Sequence, residues 1–82
     1  MDVDMNKIKV CERLNKDCGC PEEDWIMNGI YITIHAEPEG QGTMIADFGE
    51  WEEEQLVEAS GLEDLRQLAE TWTLTFHAGN EL

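Results

Sequence analysis

Hydrophobic residues along the chain recur with two periods, and the switches between them predict the order of elements. Near the N-terminus Ile8, Cys11 and Leu14 are spaced as on a helix, whereas Lys7-Ile8-Lys9-Val10 alternates as a strand does. Residues 6–16 therefore admit both forms. A short helical turn is the preferred expectation, because Gly19 and Pro21 in DCGCPEED interrupt any regular element soon afterwards. From Trp25 to Ala36 the chain is rich in β-branched and aromatic residues, and Ile30, Ile32 and Ile34 alternate with Tyr31, Thr33 and His35. That pattern predicts a strand. Pro38 and Gly40 supply a turn into a second strand over 42–48, which closes a hairpin with its isoleucine face inward.

Beyond the hairpin the period becomes helical, with Trp51, Leu56 and Val57 before Ser60-Gly61 and Leu62, Leu65, Leu68 and Ala69 after it. Ser60 with Glu63 three residues later has the form of a capping box, so a helix should begin there. Glycine inside one continuous helix would cost about 1 kcal/mol, which favours two short helices in tandem. Thr71–His77 then alternates Trp72, Leu74 and Phe76 with threonines and reads as a third strand. The expected fold class is α+β: a small antiparallel sheet of about three strands with two short helices packed on one face. It forms a single domain over 1–82, with residues 1–5 frayed and 78–82 a polar tail.

Charge changes what this small scaffold is expected to do. The chain carries 19 Asp and Glu against five Lys and Arg, a formal net charge of −14. Lys7, Lys9, Arg13 and Lys16 all precede residue 17, and from there onward sixteen carboxylates face the single Arg66. A nearly one-signed field attracts cationic partners and repels nucleic acid and anionic membrane. No apolar run approaches the roughly 20 residues of a membrane span, and MDVDMNKIKV lacks the apolar core of a signal peptide. A cytoplasmic location is expected, and three cysteines without an export signal fit a reducing compartment.

Chemistry is sparse. Cys11, Cys18 and Cys20, with His35 or His77 as a fourth ligand, are the candidate metal ligands, but C-x6-C-x-C is not the paired spacing of a zinc finger or ribbon. The expectation is no metal and no cofactor. Neither PEEDW nor GEWEEEQ reads as a calcium loop, GQG is too short for a phosphate loop, and no nucleophile stands in a recognisable arrangement with a base. A non-enzymatic role is therefore expected. The residues expected to meet a partner are Glu50, Glu52, Glu53, Glu54 and Glu58 on the first predicted helix, and Glu63, Asp64 and Glu70 on the second. Glu22, Glu23 and Asp24 in the preceding loop join them, with Trp25 as an aromatic anchor beside that loop; Trp51 and Trp72 are expected in the core.

In size, acidity and lack of catalytic motifs the chain resembles the small phage-encoded inhibitors that include DNA-mimic and anti-CRISPR proteins. The resemblance is one of class. It implies a protein that binds a basic nucleic-acid-binding protein or a CRISPR-type surveillance complex and blocks its nucleic-acid site or partner recruitment, in the cytoplasm of an infected bacterium. Two alternatives stand beside it: an antitoxin-like or adaptor module that neutralises a basic protein without mimicry, and a small domain stabilised by zinc at the cysteines. A homodimer is compatible with either binding reading if the sheet leaves a free edge.

Overall fold

The computed structural model describes the backbone of residues 7–80 and the side chains of residues 7–76. Among the described residues five strands precede one helix: β1 (Lys7–Leu14), β2 (Pro21–Met27), β3 (Ile30–Glu37), β4 (Gln41–Asp47), β5 (Glu52–Glu58) and α1 (Leu62–Asn80). The strands form one antiparallel meander in the order β1-β2-β3-β4-β5. The α+β class and the β3–β4 hairpin hold, while the expected three strands and two helices become five and one. Among the described residues, no helix is long and apolar enough to cross a membrane. The expectations for residues 1–5 and for the end of the polar tail lie outside the described residues.

Four local readings are corrected, each for a physical reason. Residues 7–14 form a strand, because pairing with β2 supplies the backbone partners that an isolated turn would lack. The stretch 25–36 is two strands, since Asn28 (φ 52°) and Gly29 (φ 81°) take left-handed conformations and reverse the chain in a two-residue hairpin turn. Glu52–Glu58 is an edge strand and not a helix, because all seven residues pair in register with β4, which supplies their backbone partners. Residues 71–77 continue α1, and Leu62, Leu65, Ala69, Trp72 and Phe76 lie three or four residues apart on its inner stripe. The helix start is where the capping pattern placed it, although Asp64 is the responding acid: the Ser60 amide and hydroxyl donate to Asp64 Oδ2 at 3.0 and 2.6 Å.

Helix α1 lies over the middle of the sheet, against β3 with β2 and β4 on either side. Met27, Ile30, Ile32, Ile34, Met44 and Ala46 meet Leu65 and Ala69 there, and each of these is buried. Gly42 faces this layer because a larger residue would not fit: an added Cβ would stand 2.7 and 2.9 Å from the two methyl carbons of Leu65. Leu65 is fully enclosed and has little room to turn away. Gly42→Ala should therefore lower stability by about 1–3 kcal/mol in chemical denaturation. The same substitution in a Leu65→Ala background should cost clearly less, whereas strict additivity would show that this contact is not the cause.

Candidate binding face

The helix covers the central strands and leaves both edges bare, and this decides where exposed charge can accumulate. On β5 every residue except the half-buried Val57 is exposed. Register with β4 places Glu52, Glu54, Leu56 and Glu58 on the face opposite the helix, alongside Asp47, Ile45, Thr43 and Gln41. Glu53 and Gln55 point to the helix side but lie beyond its cover. Among the described residues, none of Glu50, Glu52, Glu53, Glu54 and Glu58 has an ion-pair partner.

The opposite edge consumes the cations. Lys7 pairs with Glu70 at 3.1 Å, Lys9 with Glu12 at 2.7 Å and Glu23 at 3.4 Å, and Arg13 with Asp24 at 3.0 Å and Glu22 at 3.6 Å. Arg66 reaches down from α1 and holds both oxygens of Glu23, donating through Nε at 2.9 Å and Nη2 at 2.8 Å. Four of the five basic side chains are thus counterions to acids on β1, β2 and α1, while the β5 edge keeps its charge unbalanced.

Glu22, Glu23 and Asp24, expected at the binding surface, are instead buried, at 9%, 2% and 7% exposure. Strand pairing of β2 between β1 and β3 encloses them, and they serve the fold. The Arg66 hydrogen bonds are the main reason the Glu23 carboxyl is lowered to about 2; burial opposes them, and the Trp25 indole, donating at 2.8 Å, adds to the lowering. For Asp24, burial works to raise the value, but hydrogen bonds from Arg13, Tyr31 (2.7 Å) and Thr33 (3.0 Å) outweigh it and hold the carboxyl below its usual range.

The tryptophan expectations exchange places. Trp25 is half-buried against the core, with the Lys9 ammonium and the Arg66 guanidinium 5.9 and 5.8 Å from its ring centre. Trp51, expected in the core, is 52% exposed and stacks on Phe48 with ring centres 4.3 Å apart. Phe48 in turn meets Phe76 at 5.1 Å, so the β4–β5 turn is fastened to α1 while one side of Trp51 stays open. Trp51 and Leu56, 73% exposed, are the apolar members of the acidic edge. Of the acids expected on helices, Glu63 and Asp64 do occupy the first turn of α1, and Glu70 lies further along it in its pair with Lys7.

Three of the candidate metal ligands named from the sequence come together, although their spacing is not that of a zinc finger or ribbon. Cys18 and Cys20 in the β1–β2 turn meet His35 of β3, with one ligand-capable atom from each within 4.8 Å of the others. Cys11 stands apart: its sulfur accepts from Arg13 at 3.2 Å and its thiol donates to Asp24 at 3.6 Å. The side chain of His77 lies outside the described residues. Contact with the Cys18 thiol, followed by burial and the nearby Glu37 and Glu22 carboxylates, pushes the Cys20 thiol up to about 11.

Comparison with protein-family models, curated proteins and solved structures finds no match to this chain.

Proposed function

We propose that the protein is a non-enzymatic acidic binding protein whose β5 edge docks on the basic nucleic-acid-binding surface of a partner protein or ribonucleoprotein and inhibits it. The observation that carries this reading is the segregation of charge: four of the five basic side chains are spent on ion pairs away from β5, and five carboxylates without ion-pair partners among the described residues line the β5 edge and the turn before it. Four carboxylates in the seven residues of β5, at about 3.4 Å rise per residue, give roughly one charge per 6 Å of strand. One strand of duplex DNA carries one per about 3.4 Å of axis, so the edge reaches about half that density on a rigid support.

Leu56 on the face of Glu52, Glu54 and Glu58, and Trp51 stacked on Phe48 before the strand, give the edge exposed apolar contact area among its charges, the kind of contact in which interface energy concentrates. A groove evolved to hold phosphates would be drawn to this edge by its own field. A CRISPR-type surveillance complex, the target implied by the class resemblance, is one such partner. Association of this kind is steered and salt-sensitive. Capture on the immobilised protein at low salt, followed by a salt ramp, tests the reading. It expects release of a basic nucleic-acid-processing protein that a Glu52→Gln/Glu54→Gln/Glu58→Gln variant fails to retain; equal retention by that variant would refute it.

A further inference from the structure

We propose that Cys18, Cys20 and His35 form a zinc site, with two thiolates and the Nε2 atom of the imidazole as ligands and a fourth position open to solvent. The distances suit the ion. With Zn–S of about 2.3 Å and Zn–N of about 2.0–2.1 Å at a tetrahedral angle, sulfur and nitrogen ligands stand roughly 3.5–3.6 Å apart. Cys18 Sγ and His35 Nε2 are 3.5 Å apart, and Cys20 Sγ completes a set whose separations all fall within 4.8 Å. Closing the widest of these needs a shift of about 1.3 Å at most, in a turn where Cys18 is exposed.

Both sulfurs are carried by the turn between β1 and β2, where Gly19 between them takes a left-handed conformation (φ 73°) that glycine adopts without strain. Asn15 fixes the turn: its side-chain oxygen accepts from the amides of Asp17 and Cys18 at 2.8 and 3.2 Å, and its carbonyl accepts from Gly19 at 2.8 Å. Across from it, β3 alternation points His35 to the same side as Thr33 and Glu37.

The ring is oriented as a ligand. Nδ1 lies 3.7 Å from Glu22 Oε1, and Nε2 faces the Cys18 sulfur. Glu22 is itself positioned by the Asn15 amide, which donates to the same oxygen at 2.9 Å, and by Arg13 at 3.6 Å. A buried carboxylate behind a histidine that faces two thiols is the arrangement in which an outer partner raises ligand basicity. Two thiolates and an imidazole select a borderline-soft ion such as zinc over magnesium or calcium. Binding converts two thiols to thiolates and releases two protons. It ties the β1–β2 turn to β3 and leaves the β5 edge untouched, so the proposal stands or falls apart from the proposed function.

Cobalt(II) titration of the reduced, full-length chain tests it. One equivalent should produce a thiolate-to-cobalt charge-transfer band and the intense visible bands of a four-coordinate ion, both abolished by added zinc. Cys18→Ser and Cys20→Ser should lose the charge-transfer intensity in part and bind more weakly, Cys18→Ser/Cys20→Ser should show none, and Cys11→Ser should match the parent. Glu22→Gln should keep the bands with ~10–100-fold weaker binding. Absence of a thiolate band in the parent, its persistence in the double serine variant, or its loss in Cys11→Ser would overturn the assignment. Should a Cys20 variant fail to fold, the parent titration and Cys18→Ser, at an exposed position, still decide it.

Discussion

Arg66→Ala is expected to destabilise the protein by about 3–5 kcal/mol in urea or guanidinium denaturation, because it strands a carboxylate that the fold has taken out of water. Glu23 is 2% exposed, and Arg66 supplies both of its closest cationic contacts; Lys9 at 3.4 Å is more distant and shares its charge with Glu12. The Arg66 side chain keeps a third of its surface in water, which places the effect toward the lower end of that range. A Glu23→Leu/Arg66→Met double substitution should cost far less than the single one, since it removes the stranded charge together with its partner. A loss below about 1 kcal/mol for Arg66→Ala would show that the pair is solvated and does not organise the core.

The same pair sets a pH dependence. The folded Glu23 carboxyl is held at about 2 against an ordinary 4.5, so the unfolded chain binds its proton first as the solution is acidified. Its contribution is complete above about pH 4.5 and is lost as pH falls through about 2. Glu23→Gln should flatten the decline of stability across that window, and an unchanged slope would assign the acid sensitivity to other groups.

The second large effect concerns the edge. Neutralising Glu52, Glu54 and Glu58 together should slow association with a basic partner by about 10- to 1,000-fold at low salt, with a smaller change in dissociation. Glu22→Gln or Glu12→Gln, at the cation-bearing side of the sheet, should leave the association rate within a few-fold of the parent. Stopped-flow or surface binding kinetics at two ionic strengths checks this, and equal slowing by either set would mean that net charge matters and its placement does not. Trp51→Ala should act differently, raising the dissociation rate with little change in salt dependence, because the ring contributes contact area and no charge.

Legibility of the fold in the sequence followed the helix. Where α1 covers the sheet, burial imposes alternation, and Ile30, Ile32 and Ile34 announce β3 plainly. Where it does not, as on β1 and β5, both faces are wet and nothing forces a period of two, so GEWEEEQLVE reads as a charged helix. Tandem strands with short turns explain the remaining strand error: Asn28-Gly29 was a hairpin signal inside an otherwise continuous β-rich run. Thr71–His77 misleads in the opposite sense, since its strict alternation also contains the Trp72–Phe76 spacing that α1 uses.

The exposed acids from Glu50 to Glu58 were legible in the sequence, but the element that carries them and the burial of Glu22, Glu23 and Asp24 were not. Glu22, Glu23 and Asp24 look like another exposed acidic run until β1 is placed beside them with Lys9 and Arg13. Only the strand order shows that those cations are committed there and cannot offset β5. Cys18, Cys20 and His35 were among the candidate ligands in the sequence, but that these three meet while Cys11 stands apart depends on the turn at Gly19 and on the pairing of β2 with β3.

Competition with nucleic acid is the most direct measurement of the central claim. With the captured partner bound to the immobilised protein, increasing amounts of the DNA or RNA that the partner binds should release it, and the released fraction should follow the partner's nucleic-acid affinity. A ternary assembly, in which nucleic acid binds the partner while this protein stays in place, would contradict the account.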